Sequence, residues 1–312
     1  MFNLTRKRIL VTGGNGFLGS HIINELRNIG VREIISPSSK ECDLRKEENI
    51  ISLLKDEQPN VVIHCAAAVG GIGANRDNPG SFFYENLIMG TQLMEHSRLN
   101  NVEKFVAIGT ICCYPKITPV PFKEEDLWSG YPDETTGYYG LAKKMLLVQS
   151  KAYRKQYGFN SIFLMPVNIY GPGDNFIGEH AHVIPALVKK FVDAKVNNRE
   201  EVICWGTGTA TREFIYADDC AKAIVMATEN YNSSEPVNIG TGQEMPIKNL
   251  AEKIAECVGY SGKIVWDRTK PDGQPRRCLD VTRAKEQFGF VATTSFDDGI
   301  KRTVDWYINN NL

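Results

Sequence analysis

The sequence predicts an α/β fold, a doubly wound parallel sheet with a smaller mixed α/β lobe. Three observations carry that reading. Strands and helices alternate at regular intervals through the first half of the chain. A glycine-rich run, Thr12-Gly13-Gly14-Asn15-Gly16-Phe17-Leu18-Gly19, lies at the first strand–helix junction, and the alternation stops after Pro166. Parallel strands need crossover helices, so regular alternation implies a parallel sheet covered by helices.

The elements follow in order. Arg8 to Val11 is a short apolar strand that enters the glycine loop, and His21 to Ile29 continue a helix opened by that loop. Glu33 to Ile35 read as a second strand, the charged run Glu47 to Asp56 as a helix, and Val61 to His64 as a third strand. A long helix is expected over Ser81 to Asn100, followed by a strand over Lys104 to Ile108. A proline-rich loop then leads to a helix bearing Tyr139 and Lys143, and Ser161 to Met165 form another strand. Beyond Pro166 the stretch Asn168 to Asn175 is rich in turn residues. A helix over Val183 to Ala194, a glycine loop at Trp205 to Gly208, a helix near Asp218 to Glu229 and a strand and turn over Val237 to Gly242 complete the readable pattern. There are no repeats and no low-complexity segments.

Bulk properties exclude several classes. With 312 residues and 42% hydrophobic content, the chain is long enough for a large core or two packed lobes. Its 36 basic and 37 acidic residues nearly balance, which gives no electrostatic reason to expect nucleic acid or an anionic membrane as partner. The N-terminus, Met1 to Arg8, is short and polar and runs straight into a strand, unlike a signal peptide, and no apolar run has transmembrane length. Eight cysteines without paired spacing read as reduced thiols of a cytoplasmic protein. Cys42, Cys65, Cys204, Cys220, Cys257 and Cys278 read as small core or surface residues, whereas Cys112 and Cys113 adjoin Thr110 and stand apart. His180 and His182 lack a third ligand, so no metal site is expected.

Gly13, Gly16 and Gly19 give Gly-x-x-Gly-x-x-Gly, and Gly14, Gly16 and Gly19 also satisfy Gly-x-Gly-x-x-Gly. Such a loop lets the backbone turn sharply and approach a pyrophosphate closely, with the helix N-terminus offering its amides. An ordinary glycine turn is the plain alternative; the strand before and helix after favour nucleotide binding. The second strand carries no acid at its tip. Ser38, Ser39 and Lys40 suit a ribose 2′-phosphate, so NADPH is the expected cofactor, although a Ser-Lys turn is equally a solvated loop and Glu41 would oppose the phosphate. Asp43 is expected towards the adenine end. The nucleotide unit would comprise residues 1–167 plus about 213–241, and the smaller, substrate-binding lobe 168–212 plus 242–312.

Tyr139 precedes Lys143 by four residues on a helix, which puts phenol and ammonium on one face. The cation would favour the phenolate, and the hydroxyl of Thr110 would hold the same substrate oxygen. Twelve tyrosines give roughly one such match by chance, so the pair gains its meaning from the nucleotide loop upstream.

Further motifs extend the reading. They are Ala67-Ala68-Val69-Gly70-Gly71-Ile72, Cys112-Cys113-Tyr114-Pro115-Lys116 and Tyr170-Gly171-Pro172-Gly173-Asp174-Asn175-Phe176. Later come His182-Val183-Ile184-Pro185-Ala186-Leu187, Trp205-Gly206-Thr207-Gly208 with Arg212-Glu213-Phe214, and Lys270-Pro271-Asp272-Gly273. With these, nearly the whole chain resembles the extended short-chain dehydrogenase/reductases of the Rossmann type, and within them the GDP-L-fucose synthase branch.

The resemblance implies an NADPH-dependent epimerase/reductase acting on GDP-4-keto-6-deoxy-D-mannose. Protons beside a 4-keto group are acidified because the carbanion is an enolate, so inverting carbons 3 and 5 needs a base on one face and an acid on the other. Cys112 and His182 would fill those roles, in either order, and Tyr139 would protonate the oxygen at carbon 4. Cys112 as a small buried residue and His182 as a helix-start histidine are the bland alternatives; Cys113 and His180 are taken as non-catalytic. Cofactor contacts would fall on Phe17, Leu18, Leu44, Ala66, Ala67, Pro166 and Asn168, with Lys143 and His182. GDP and sugar would be held by Lys190, Trp205, Arg212, Arg277 and Asn168, although Lys189-Lys190 equally suits a solvated helix face. A homodimer would pair the helices at Ser81–Asn100 and Tyr139–Tyr157 with their copies. The chain departs from the branch at Thr110-Ile111-Cys112, which loses a second hydroxyl, and at Asn15 and Pro37, where arginines for a 2′-phosphate are found in some members. Three alternatives remain: an NAD-recycling dehydratase or 4-epimerase, which would present an acid pair where Ile111-Cys112 stands; an enzyme for a related 4-keto sugar such as a deoxyheptose; and an NADP-binding sensor without turnover.

Overall fold

The computed structural model describes residues 2–177, 181–270 and 272–311. Its central sheet is built from short, largely apolar strands, buried except at the edge strand Glu33–Ile35. They are β1 (Arg8–Thr12), β2 (Glu33–Ile35), β3 (Val61–His64), β4 (Lys104–Ile108) and β5 (Ser161–Pro166), with crossovers supplied by α1 (Phe17–Asn28), α2 (Glu47–Glu57), α3 (Ile72–Asp77), α4 (Pro79–Leu99) and α5 (Gly137–Tyr157). Next come β6 (Asn168–Tyr170), α6 (Val183–Val196), β7 (Glu201–Trp205), β8 (Thr211–Tyr216), α7 (Ala217–Asn230), β9 (Val237–Ile239) and β10 (Glu244–Pro246). The chain ends with α8 (Ile247–Val258), β11 (Lys263–Asp267), β12 (Arg276–Arg277), α9 (Thr282–Phe288) and α10 (Phe296–Asn311).

The sheet order is β2-β1-β3-β4-β5-β9, with every neighbouring pair parallel. β3, β4, β5 and β9 are buried at every residue, which is why they read as continuous apolar runs. The order reverses between β1 and β3, and that reversal opens a crevice at the carboxyl ends of the strands. α4 packs along α5 and α1 along α7. Lys104, buried in β4, donates from Nζ to the carbonyls of Thr228 (2.5 Å) and Tyr231 (2.6 Å), so a cation closes the C-terminal end of α7. Burial pushes its pKa down to about 8.

A second apolar core lies among α6, α8 and α10, where Leu187, Val188 and Phe191 meet Leu250 and Ile254, with Ile300 and Val304. Above it, β8 pairs with β10, β12 and β6, and β7 with β11 in parallel. Asn168–Tyr170, read from its turn residues as irregular, is a short strand beside Phe214–Tyr216. α3, β7, β8, β10, β11, β12, α8, α9 and α10 were not read from the sequence at all. For α8 the signal was present: Leu250, Ala251, Ile254, Ala255 and Val258 recur at helical spacing on the buried face. His180 and Pro271 lie outside the described residues. Among the described residues no helix is long and apolar enough to cross a membrane, and no group of three or more His, Cys, Asp or Glu is arranged to hold a metal ion.

Candidate active site

The crevice at the switch point is a cleft of about 740 Å³, and its floor is the glycine loop. Gly13 has φ +71°, and a Cβ there would lie 2.8 Å from the amide nitrogen of Ala66. A Cβ on Gly19 would collide with the Gly13 carbonyl oxygen, so the loop folds tightly upon itself beneath α1. α1 starts at Gly16 with no side-chain cap, leaving its first amides free to face an anion. Gly13, Gly16, Phe17, Leu18 and Gly19 all line the cleft, as the motif required.

At the far end Ser38, Ser39, Asp43 and Leu44 also line it. Lys40 does not: it occupies the exposed tip of a turn that Glu41 closes. The backbone N–H of Ser38 donates to Glu41 Oε2 (2.7 Å), and that of Glu41 to Ser38 Oγ (3.3 Å). Glu41, the acid expected to oppose a 2′-phosphate, is therefore occupied within its own turn and is absent from the cleft wall. Sequence reasoning missed Arg45. Its guanidinium reaches into the cleft and forks onto Asp43 (2.9 and 3.0 Å) and also onto Glu85 (3.3 Å), holding the Asp43 carboxyl below the usual range. Asp43 lies two residues away, but Glu85, which completes the clamp, is 40 residues away and outside any local pattern.

Ala66, Ala67, Pro166 and Asn168 form the middle of the wall, and Asn168 is fixed by donating from Nδ2 to the Glu213 carbonyl (2.8 Å). Tyr139 and Lys143 project from the first turns of α5 into the same space. Both are buried. Burial pushes Lys143 down to about 8. It raises the Tyr139 phenol well above its ordinary value, and the sulfurs of Cys112 and Cys113 add to the rise. The phenol is thus held protonated. The expected lowering by Lys143 is overridden because desolvation of a phenolate outweighs a shared helix face.

Thr110 and Cys112 sit beside the cleft rather than in its wall. The Thr110 hydroxyl accepts from the Cys112 amide (3.2 Å) and caps the 3-10 turn Ile111–Cys113. α5 rests on that turn so closely that a Cβ on Gly140 would collide with the Cys112 carbonyl oxygen. Cys113 is buried, donates its thiol to the Gly140 carbonyl (3.3 Å), and is pushed up to about 12 by burial. The Cys112 thiol is half-buried and receives Nη2 of Arg277 at 3.7 Å. His182 starts α6 without capping it, lines the cleft and is itself exposed.

The remaining predicted residues form a second group outside that cleft. Lys190 donates to the Ile203 carbonyl (3.1 Å) and stands 5.8 Å from the Trp205 ring centre, with Lys270 at 5.5 Å from the same ring. The loop after Trp205 is tied to Asp272, which accepts from the Thr207 amide (2.6 Å) and hydroxyl (2.7 Å). Arg212 donates to the carbonyls of Thr211 (2.7 Å) and Gln274 (2.6 Å), and burial with the neighbouring Arg277 charge pushes it down to about 10. Arg277 lies opposite Arg212 in the parallel register of β12 and β8. A continuous path therefore leads from Trp205 through Asp272, Arg212 and Arg277 to the Cys112 sulfur.

Glu213 appears in the sequence only as the middle of the motif Arg212-Glu213-Phe214, with no role of its own. Its buried carboxylate accepts from the amides of Thr241 (2.6 Å), Gly242 (2.8 Å) and Leu279 (2.6 Å), tying β8, the turn after β9 and the segment after β12 into one block.

Residues 9–240 match the profile of the NAD dependent epimerase/dehydratase family. The chain belongs to that family. Among members of known kind, GDP-L-fucose synthase 1 of Arabidopsis thaliana is 41% identical over 303 residues, covering 97% of this chain and 94% of the relative. Two solved structures of 28% identity share the fold closely. A GDP-6-OMe-4-keto-L-xylo-heptose reductase from C. jejuni superposes with a TM-score of 0.94 over 100% of both chains. A GDP-L-fucose synthetase from Naegleria fowleri bound to NADP gives 0.92 over 99% of this chain and 95% of that one. The epimerase/dehydratase fold therefore extends over the whole chain, beyond the matched residues.

Proposed function

We propose that the protein is an NADPH-dependent epimerase/reductase that converts GDP-4-keto-6-deoxy-D-mannose to GDP-L-fucose, inverting carbons 3 and 5 and reducing carbon 4. The observation that carries this reading is the packing of the Cys112 turn against the start of the helix bearing Tyr139 and Lys143, on a cleft that His182 also lines. The full-length likeness to GDP-L-fucose synthases supports it. The cleft fits the cofactor: the Gly13–Gly19 cradle and the uncapped start of α1 suit its pyrophosphate, Ser38 and Ser39 face its ribose end, and Glu41 is turned to its own loop. When bound, NADPH supplies the hydride that reduces carbon 4.

The chain's own residues do the rest. Of Cys112 and His182, one removes the proton from the carbon beside the ketone, whose electrons pass to the keto oxygen as an enolate; the other returns a proton on the opposite face. Carbons 3 and 5 undergo the same exchange. In the reduction, the oxygen at carbon 4 gains negative charge and draws the proton from Tyr139. A phenol raised by burial keeps that proton until the alkoxide forms, and Lys143 then offsets the charge left behind. Thr110 donates a second hydrogen bond to the same oxygen. Lys190, Trp205, Arg212 and Arg277, with Asn168, hold the GDP-sugar.

A second reading is reduction at carbon 4 of a GDP-linked heptose without epimerisation, favoured by the likeness to the heptose reductase. Turnover of GDP-4-keto-6-deoxy-D-mannose in deuterated water separates the two. NADPH oxidation with deuterium at carbons 3 and 5 is expected, and both Cys112→Ser and His182→Gln should lose the label. Oxidation without label would overturn the epimerase half, and turnover of the heptose substrate alone would overturn the substrate.

The assembly we propose is a homodimer through α4 and α5, which leave Tyr84, Leu99, Tyr138, Val148 and Tyr157 exposed; light scattering at a monomer mass would overturn it. All eight cysteines are free, which suits a cytoplasmic protein.

A further inference from the structure

Arg276 and Arg277 are neighbours on β12 with opposite fates. Arg276 Nε donates to Glu244 at 3.0 Å, an ordinary surface ion pair. Among the described residues Arg277 has no carboxylate within ion-pair reach; its Nη2 donates to Cys112 Sγ at 3.7 Å, and its Nε is buried with no hydrogen-bond partner. We infer that Arg277 is the positioning residue of Cys112, orienting its sulfur and stabilising it as the thiolate. This rests on the catalytic role proposed above for Cys112.

Both partners are pinned. β12 is held in register against β8, Leu279 is anchored by Glu213, and the Cys278 carbonyl accepts from the Phe122 amide at 2.8 Å. Cys112 is pinned by the Thr110 cap behind it and by Gly140 above it. These contacts fix the two backbone positions from which the side chains meet. A second guanidinium, Arg212, stands beside the first, with Asp272 and Asp133 facing Arg212. A charged donor favours the anionic form of its acceptor, and a guanidinium without a carboxylate has its full charge to offer. Cys113, one residue on, shows the contrast: its thiol is buried and donates to a carbonyl.

The test needs no substrate. Alkylation of the free protein by iodoacetamide at pH 7, followed peptide by peptide, should slow at Cys112 by about tenfold in Arg277→Gln, the loss of one charge-assisted hydrogen bond. Arg277→Lys should recover part of the rate, and the exposed Cys257 should react equally in all three proteins. NADPH binding should be unchanged, which reports an intact fold. Equal alkylation of Cys112 in wild type and Arg277→Gln would overturn the inference whatever the substrate proves to be.

Discussion

Gly13, Gly16 and Gly19 reach the dinucleotide cleft within one strand–loop–helix unit, whereas Arg277 and Cys112 meet from positions 165 residues apart. The first region is a local device: its geometry follows from glycine spacing and a helix start. The second is assembled by tertiary contacts, with Glu213 as the common anchor of three separate segments. A local device fails when its own backbone is blocked; an assembled one fails when its anchor is weakened. The two regions should therefore break independently.

The largest effect is expected in the glycine loop. Gly19→Ala forces a methyl into the Gly13 carbonyl, a misfit worth up to about 3 kcal/mol, so NADPH affinity should fall by about a hundredfold in a fluorescence titration. An unchanged dissociation constant would show that the loop does not cradle the cofactor. Glu213→Gln should spare NADPH affinity yet raise KM for the nucleotide sugar by roughly tenfold. The amide replaces one acceptor oxygen with a donor and leaves a buried backbone N–H unsatisfied, at about 1–3 kcal/mol. A lower melting temperature with unchanged KM would reduce Glu213 to a merely structural role.

The smallest effect is set by pH. Lys143 sits at about 8 in the fold, below its ordinary 10.5, so its ammonium is lost as pH rises through 8. If that charge supports the step at Tyr139, kcat/KM at pH 8.5 should be about a quarter of its plateau. Stability moves the other way. Between about pH 8 and 10.5 the unfolded chain binds the proton that the native state has released, so this group adds to stability as pH rises there. A melting temperature that fell in parallel with the rate would identify alkaline unfolding instead.

The same contrast explains what was legible in the sequence. The strands of the central sheet, the glycine loop and the Tyr139–Lys143 spacing are written in neighbouring residues, and the fold class followed from them. Arg45 and Glu85, Thr207 and Asp272, and Arg277 and Cys112 pair across long separations that no spacing rule reports. Lys40 was misplaced because composition shows which residues a turn contains but not which one its hydrogen bonds push to the tip. The phenol of Tyr139 was misjudged for a related reason: the helical spacing to Lys143 was visible, whereas the burial that dominates it was not.

Glu41 and Ser36 together say something about how readily this protein would change coenzyme. In proteins that prefer NAD, an acid at the tip of the second strand grips the ribose hydroxyls. Here that tip is Ser36, packed against Gly14 with its hydroxyl buried and unpartnered, while the glutamate that follows, Glu41, is committed to bracing the turn after it. At this end the acids that line the cleft, Asp43 and Glu85, are both paired with Arg45, so neither strand tip nor turn presents an unpaired carboxylate to a 2′-phosphate. An exchange of coenzyme would start by rewriting residue 36 and leave residue 41 in place.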